Sequence, residues 1–502
     1  MRDRGSGRRI PVLRPWIAVT GSFVLSRVVF FLAGVRFDAT PFDRFWQFVD
    51  PPLLRDRLFE SLLYLHAQPP LFNLYLGFVA KLFPGAETAA FWLTYAVLGW
   101  ALSMTIYALL DALGAGPWMA AALAIAFSWS PPSVLNENWL FYDLPVALML
   151  ALSALLLHRF VTRGRFRTVL GFFALLAAAA LTRSLFHVAW LVAVALALLW
   201  AVPGRRRQVL LAAGLPLLLV LGWNAKNLVL FGTFSSSTWL GMNVARASTF
   251  LVPSSERAEL VGRGELSKYA LVPPFSPLEA YRDFAPRTPP TGVAVLDQES
   301  KSGGKPNFNN AAYVGISRRY LRDGLHVLWT HPGAYLGGLS LSYFIFSFPA
   351  SDFYFVRDNR ERIGLWDALF SRLACGQAAY EDRTTVAAMT ADGFSNARKL
   401  LSAGWLLMAG FVVSVAGGAR LARRAWRGPA PDLPTALTVA FLVFNVIYVT
   451  VVGNGLEIGE NNRFRFMIDP LWLVLLGLLA ARGLERRRSR QRPKALRPPR
   501  EG

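Results

Sequence analysis

Acidic side chains at the edges of long apolar segments are the first candidates for chemistry in this sequence. Asp38 follows the first apolar segment, and Glu137 and Asp143 lie in a short polar stretch between two others. A carboxylate at the boundary between lipid and water suits the abstraction of a proton from a hydroxyl group. Asp38 could equally cap a helix or lie in a solvated loop. Glu137 and Asp143 are six residues apart and need not act as a pair. We predict these three residues as the catalytic candidates.

Basic side chains near the predicted outer ends of apolar segments form the second group of candidates. They are Arg183, Lys226, Arg463 and Arg465. They are exceptions to the rule that Lys and Arg of membrane proteins concentrate on the cytoplasmic side. Because arginine pairs bind phosphate oxygens through parallel hydrogen bonds, we predict that this group binds an anion. The alternative is that these cations pair with lipid headgroups or with neighbouring acidic side chains.

Five further polar residues are predicted to contact a substrate. They are His66, Gln68, Asn243, Glu460 and Asn462. His66 precedes a proline pair that keeps it in an irregular segment, although a lone histidine is more often an ordinary hydrogen-bonded group. One cysteine, five histidines and no His-Glu-x-x-His pair give no zinc site, so the identity of any metal ligand is unknown. The sequence contains no glycine-rich nucleotide-binding motif.

Membrane helices must position these side chains. Hydrophobic residues make up 54% of the 502 residues and charged residues 17%, whereas a soluble protein carries about 25% charged residues. This composition excludes intrinsic disorder and argues against a water-soluble enzyme. The whole net charge of +22 lies in five basic segments, which are residues 1–15, 159–167, 204–207, 420–427 and 482–502. Such segments flank membrane helices on the cytoplasmic side, so no nucleic-acid partner is expected.

Ten apolar segments approach the length of a transmembrane helix, about 20 residues. They are residues 16–35, 88–111, 117–131, 140–158, 168–182, 184–202, 208–223, 399–417, 434–452 and 467–481. Because the basic segments are predicted to lie on one side of the membrane, the number of crossings between two of them must be even. Counting residues 71–83 or 333–349 as a crossing would make that number odd, so both are predicted as helices in or on the outer face. Both termini are then cytoplasmic. Aspartates alternate with aromatic residues over residues 34–50 and predict an amphipathic surface helix there.

The predicted fold is an all-α polytopic membrane protein with about ten transmembrane helices, juxtamembrane or re-entrant helices and a small exoplasmic region. The predicted regions are an N-terminal transmembrane module (1–223) with a first exoplasmic loop (36–87), an exoplasmic loop or small domain (224–398) containing the helix 333–349, C-terminal transmembrane helices (399–482) and a basic cytoplasmic tail (483–502). The second region is too long for a simple connection. We therefore expect it to form a small domain or to cover the substrate.

The order of these motifs resembles the GT-C class of integral-membrane glycosyltransferases, in particular the mannosyl/aminoarabinose-transferase-like branch. The similar elements are Asp38 after the first span, HAQPPLF at 66–72, the acidic residues Glu137 and Asp143, the Leu-Thr-Arg turn at 181–183, the segment 223–232 and Glu460–Arg465 before the last span. The resemblance covers most of residues 16–250 and 440–481. The spacing between Glu137 and Asp143 does not match the family's pattern.

The resemblance implies an inverting transfer of a sugar from a polyprenyl-phosphate-linked donor. Asp38 would be the general base, and Arg183, Lys226, Arg463 and Arg465 would bind the donor phosphate. The implied partners are this donor, membrane lipids and an envelope glycan, lipid or protein acceptor. The resemblance implies a site on the exoplasmic face of a bacterial inner membrane. It makes no cofactor certain and leaves a divalent cation open.

Two other classes of membrane protein remain as alternatives. A lipid-linked oligosaccharide polymerase or ligase would carry catalytic Arg or His in its large outer loop. A non-catalytic transporter would place ionisable residues near the middle of its spans. In this sequence only Arg27 lies clearly within a predicted span, where it is expected to line the bundle interior or a lipid-phosphate path. The alternative is that it snorkels to the membrane surface or pairs within the bundle.

Overall fold

The computed structural model describes residues 14–376 and 405–491, which are almost entirely helical. Within these two ranges no β-strand forms, and β-type pairing is limited to two isolated bridges, Asp38 with Trp139 and Ser300 with Pro306. The predicted all-α class is therefore confirmed. The first six residues of the predicted span 399–417 and most of the predicted basic tail lie outside the described residues.

A helix occupies each of the ten predicted spans. In chain order they are α1 (Pro15–Leu32), α2 (Glu87–Ala112), α3 (Pro117–Trp129), α4 (Asp143–Arg163), α5 (Phe166–Thr182), α6 (Val188–Ala201), α7 (Arg206–Phe231), α8 (Trp405–Arg427), α9 (Leu433–Leu456) and α10 (Asp469–Gln491). Proline occupies the first turn of α1, α3 and α9, where its missing N–H costs no helical hydrogen bond. Helices α4 and α7 end at Gly164 and Gly232, whose positive φ angles of 66° and 63° favour glycine.

The ten helices differ in their ability to cross a membrane. Helices α1, α2, α4, α7, α8 and α9 are long and apolar enough to do so individually. Helix α3 reaches that length only with the helix Pro131–Glu137, which continues it after a bend of 60°. Helices α5 and α6 are apolar but shorter, and α10, which corresponds to the predicted span 467–481, is not among the helices that are long and apolar enough. Helix α6 begins at Val188 rather than at the predicted residue 184, because residues 183–187 form a turn.

Short helices build the loop that follows α1. They are Pro41–Arg44, Pro51–Asp56, Leu58–Leu63 and Pro70–Leu82. The prediction of a single amphipathic helix over residues 34–50 is wrong, because prolines start separate helices at residues 41 and 51. Asp50 is buried between them rather than exposed on a surface. The helix predicted over residues 71–83 is confirmed as Pro70–Leu82.

The region after α7 has a small aromatic core of its own. Its longer helices are Leu240–Ala247, Ser254–Gly262, Ala312–Thr330, Pro332–Phe346 and Gly364–Cys375. The first of them crosses Ala312–Thr330 so closely that a Cβ atom at Gly241 would lie 1.8 Å from the carbonyl oxygen of Ser317. The buried rings of Trp239, Tyr281 and Tyr313 belong to this core. The helix predicted over residues 333–349 is confirmed as Pro332–Phe346.

Candidate active site

The backbone of Asp38 pairs with the segment that precedes α4. Its N–H donates to the carbonyl oxygen of Asn138 at 2.8 Å, and its carbonyl oxygen accepts the N–H of Leu140 at 3.0 Å. The carboxylate oxygen Oδ1 accepts the N–H of Thr40 at 2.8 Å and so stabilises the turn into the next helix. The other carboxylate oxygen has no hydrogen-bond partner among the described residues, and the side chain is half-buried. Asp38 thus combines a fixed backbone with one carboxylate oxygen that a ligand can use.

A cavity of about 830 Å³ lies beside Asp38. Its wall is aromatic and charged, with Phe45, Trp46, Phe275, Phe308, Tyr354, Phe355, Arg44, Lys305, Arg357, Asp358 and Glu361 among the lining residues. The ring of Trp46 packs against Phe275 and Phe308 with centroids 5.5 and 5.6 Å apart. Phe275 has a φ of 64°, a strained conformation for a bulky residue. The volume and the lining are typical of a small-molecule site.

Arg44 and Lys305 are cavity cations that the sequence did not single out. Both side chains are exposed, and they lie 261 residues apart in the chain. A third cavity cation, Arg357, donates to the carboxylate of Glu361 at 2.8 Å. The only local signal for Lys305 is the Gly-Gly pair before it, which predicts a tight turn. The positive charge at this cavity therefore comes from residues that only the fold brings together.

The loop 300–306 brings Lys305 to the cavity and is fixed to the loop after α1. The ammonium group of Lys301 donates a hydrogen bond to the carbonyl oxygen of Phe45. The hydroxyl of Ser302 donates to Asp50 at 2.6 Å, so the buried Asp50 carboxylate has a hydrogen-bond donor. Burial lowers the pKa of the Lys301 ammonium group to about 7, although the charge of Asp50 opposes this shift. These contacts set the position of Lys305 relative to Asp38.

A second charged group is buried around Arg463. Its guanidinium group donates to Asp143 at 3.0 Å and to Glu460 at 2.5 Å. The side chains of Arg463 and Asp143 are only 2% and 1% exposed. Burial alone would raise the pKa of Glu460, but the guanidinium groups of Arg463 and Arg246 hold that pKa below its usual value. The predicted site residues Asp143, Glu460 and Arg463 therefore meet in one ion cluster.

Arg183 lies next to this ion cluster. It donates to the hydroxyl of Tyr142 at 2.5 Å and lies 3.9 Å from the carboxylate of Glu457. Burial raises the pKa of Glu457, and the charge of Arg183 partly opposes this. The Nε atoms of Arg183 and Arg463 are buried without a partner in the described part of the chain. Both guanidinium groups thus retain at least one donor each.

Aromatic rings separate the Arg463 cluster from the Asp38 cavity. The guanidinium group of Arg463 lies 4.5 Å from the ring centre of Phe141. Phe141 in turn packs against Phe45, with centroids 4.9 Å apart, and Phe45 lines the cavity. The predicted phosphate-binding residues Arg183 and Arg463 therefore do not line the cavity that contains Asp38. Their role as phosphate ligands stays a prediction.

The other two predicted phosphate-binding residues hold parts of the fold together. Arg465 is buried and donates to two backbone carbonyl oxygens at 2.6 and 2.8 Å and to Asp469 at 3.1 Å. Lys226 donates to the carbonyl oxygen of Leu65 at 2.6 Å, and its ammonium group lies 3.6 Å from the ring centre of Trp223. Neither residue lines the Asp38 cavity.

Glu137 forms an ion pair with Arg27. It does not form a pair of catalytic carboxylates with Asp143 or Asp38 in the described structure. The Arg27 Nε atom donates to one Glu137 oxygen at 2.8 Å, and a second hydrogen bond joins the guanidinium group to the other oxygen. The carboxylate packs so closely on α2 that a Cβ atom at Gly99 would lie 1.9 Å from it. For Arg27, the structure shows pairing within the helix bundle.

His66 is a buried, fully hydrogen-bonded side chain. Its Nδ1 atom lies 2.8 Å from the hydroxyl of Thr238, and its Nε2 atom lies 2.9 Å from the carbonyl oxygen of Asn309. Burial lowers the pKa of His66 to about 3, so the imidazole is neutral at physiological pH. These contacts join the loop after α1 to residues far along the chain. The structure thus gives His66 a clear role in packing.

The remaining predicted substrate-binding residues also lie outside the cavity wall. Gln68 is buried and Asn243 half-buried. Asn462 donates to the backbone carbonyl oxygens of Asp352 at 2.6 Å and Pro349 at 3.0 Å. Over residues 14–376 and 405–491, no three His, Cys, Asp or Glu side chains are grouped to hold a metal ion.

Comparisons with known proteins find a weak structural likeness. No protein-family model matches the sequence, and no curated protein matches it. The crystal structure of ArnT from Cupriavidus metallidurans bound to undecaprenyl phosphate matches at 15% identity, covering 93% of this chain and 78% of that one. The TM-score is 0.33, which is too low for this likeness to carry an argument.

Proposed function

We propose that the protein is a membrane glycosyltransferase that moves a sugar from a polyprenyl-phosphate-linked donor to an acceptor hydroxyl group, with Asp38 as the general base. The observation that carries this proposal is the position of Asp38, which lines a cavity with aromatic walls and several cations and has one carboxylate oxygen without a hydrogen-bond partner among the described residues. Aromatic faces suit the apolar faces of a sugar ring, and cations suit a phosphate. The three kinds of group needed for sugar transfer from a phosphate thus share one cavity.

The proposed reaction forms one bond and breaks one. Asp38 accepts the proton of the acceptor hydroxyl, and the acceptor oxygen attacks the anomeric carbon from the face opposite the phosphate. The bond between that carbon and the phosphate oxygen breaks, and its electron pair leaves with the lipid phosphate. The configuration at the anomeric carbon is inverted. The proton remains on Asp38 until it is lost to water.

Arg44 and Lys305 are proposed to stabilise the leaving phosphate. Both line the cavity that contains Asp38, and fixed cations lower the energy of a developing negative charge. The buried arginines Arg183 and Arg463 would keep the predicted phosphate-binding role only if the donor approaches from the other side of the aromatic rings. The acceptor class, whether envelope glycan, lipid or protein, follows from the resemblance alone and is part of the proposal.

Transfer of radiolabelled sugar from a synthetic polyprenyl-phosphate donor to a membrane extract tests this function. The full chain is purified in detergent and compared with Asp38→Asn, which keeps the shape and hydrogen bonds of the side chain but cannot accept the proton. Because a positioned base contributes about 10²–10⁴-fold, the turnover of Asp38→Asn should fall by roughly that factor while donor binding persists.

Two variants serve as controls in this assay. Asp56→Asn changes an exposed carboxylate in the same loop and should transfer sugar normally. Asp43→Asn, also exposed, should have a milder effect than Asp38→Asn. Full activity of Asp38→Asn at an unchanged protein level would show that Asp38 only stabilises a turn. The base would then have to be sought at Glu137 or Asp143.

A further inference from the structure

A second pocket lies between the ends of α6 and α8, away from the proposed active site. Its volume is about 540 Å³, and it is lined by Trp200, Arg423, Trp426 and Arg427. The indole rings of Trp200 and Trp426 are stacked, with centroids 5.4 Å apart and an angle of 5° between their planes. Both arginine side chains are exposed. We call this feature the tryptophan pocket.

The tryptophan pocket lies outside the hydrophobic core. Trp200 is 71% exposed, and Leu196, one helical turn before it on the same face of α6, is 61% exposed. An apolar strip along α6 therefore leads into a pair of indoles flanked by cations. Tryptophan is enriched where lipid acyl chains meet polar headgroups, because one part of its ring system is apolar and its N–H is polar.

Positive charge surrounds the tryptophan pocket on both helices. Arg423 and Arg427 belong to the basic segment 420–427, and the segment 204–207 follows directly after α6. Within the second segment, Arg206 folds back and donates to the carbonyl oxygen of Leu199 at 3.1 Å, next to Trp200. By the charge pattern, both segments are predicted to face the cytoplasm, where the membrane surface carries anionic lipids.

We propose that the tryptophan pocket binds the headgroup of an anionic phospholipid. Arg423 and Arg427 contact the phosphate, the stacked indoles cover the glycerol region and the acyl chains follow the exposed face of α6. Basic pockets between helices on the cytoplasmic side are suited to anionic headgroups. An acidic segment of a partner protein would match the charge equally well, but it would leave the apolar strip around Leu196 uncovered.

Native mass spectrometry of the full chain in detergent, titrated with phosphatidylglycerol or phosphatidylcholine, tests this proposal. The double variant R423Q/R427Q should bind phosphatidylglycerol about 10- to 30-fold more weakly, as expected for two surface arginines. Phosphatidylcholine binding should not change. R165Q/R167Q is the matched control, because it removes two exposed arginines from another basic segment of the same predicted side. It should leave the binding of both lipids unchanged.

Two further measurements separate a lipid site from general charge attraction. Trp200→Leu keeps every charge, and it should still weaken phosphatidylglycerol binding several-fold because the stacked indole pair is lost. Inorganic phosphate at millimolar concentration should not displace the lipid. Equal weakening by R423Q/R427Q and R165Q/R167Q would overturn the proposal, as would unchanged binding by Trp200→Leu or displacement by phosphate.

Discussion

The carboxylates of Glu137 and Asp143 are each bound by an arginine, whereas that of Asp38 accepts, among the described residues, one hydrogen bond from a backbone N–H. The two oxygens of Glu137 and those of Asp143 already accept hydrogen bonds from a guanidinium group, which competes with an acceptor hydroxyl for the same carboxylate. One oxygen of Asp38 has no such competitor in the described part of the chain. At the scale of single residues, this difference favours Asp38 as the base of the proposed reaction.

Arg44 and Lys305 allow a test of the cavity cations, because both are exposed and their loss should not unfold the protein. Arg44→Gln and Lys305→Gln should each raise the KM for the lipid-phosphate donor about tenfold, the value of one charged hydrogen bond. Donor saturation curves of the purified chain measure this. Arg57→Gln changes an exposed arginine outside the cavity wall and should leave the KM unchanged. Unchanged donor KM values for both cavity variants would exclude these residues as phosphate ligands.

At the scale of elements, the Arg27–Glu137 pair joins α1 to the helix that continues α3 after its bend. Arg27→Met should destabilise the protein by about 3–5 kcal/mol, because it leaves the buried Glu137 carboxylate without its counter-charge. Adding Glu137→Gln should recover much of that loss. Thermal unfolding in detergent measures both variants. A double variant as unstable as Arg27→Met alone would show that the two side chains are not energetically coupled.

The contribution of Lys301, in the loop 300–306, to the folding stability should increase as the pH rises. Burial lowers the pKa of Lys301 to about 7, while an unfolded lysine titrates near 10.4. Between these values the unfolded chain holds a proton that the folded chain has released, so folding stability increases with pH. The expected slope is at most about 1.4 kcal/mol per pH unit.

Unfolding midpoints from pH 7 to 9.5 check this slope. The stability of the natural chain relative to Lys301→Met should increase with pH, because methionine does not titrate. The same comparison with Lys268→Met, an exposed lysine in the same region, should show no trend. A constant difference between the natural chain and Lys301→Met would mean that Lys301 stays charged in the folded protein.

The helices could be predicted from the sequence because length and apolarity are local properties. Within the described residues each of the ten predicted spans overlaps a helix, and the outer-face helices predicted at residues 71–83 and 333–349 also have helical counterparts. The single surface helix predicted over residues 34–50 does not form. The proline at position 41 starts a separate helix, which the amphipathic pattern does not reveal. Helix ends were also displaced where a turn interrupts an apolar run, as it does before Val188.

The candidate site could be predicted only in part. Asp38 was found because it follows an apolar segment directly, which is a local signal. Arg463 was expected to bind a substrate anion, but its carboxylate partner Asp143 lies 320 residues away in the chain. Lys305 is likewise brought to Asp38 by the fold alone. No spacing rule connects residues separated by several helices, so a cavity wall of this kind cannot be read from one sequence.

At the scale of the whole molecule, the orientation in the membrane remains a prediction from the basic segments. Reporter fusions after residues 165, 206 and 425 should report the cytoplasm, and those after 55, 280 and 370 the exterior. This difference between the two sets of fusions follows from the preference of Lys- and Arg-rich loops for the cytoplasmic side. An exterior signal at 425, or a cytoplasmic one at 370, would show that the helix Pro332–Phe346 crosses the membrane.

The order of synthesis also determines when the cavity can first exist, because its wall includes the loop 300–306 and residues as late as Glu361. Glu361 leaves the ribosome 323 residues after Asp38, which at 5–20 residues per second is a delay of roughly 16–65 s. During that interval α1 to α7 can already be inserted, while the cavity beside Asp38 still lacks one wall. A nascent chain therefore acquires its membrane anchors well before it acquires a closed binding site. A message truncated between α7 and residue 300 would yield an anchored protein with Asp38 permanently open on one side.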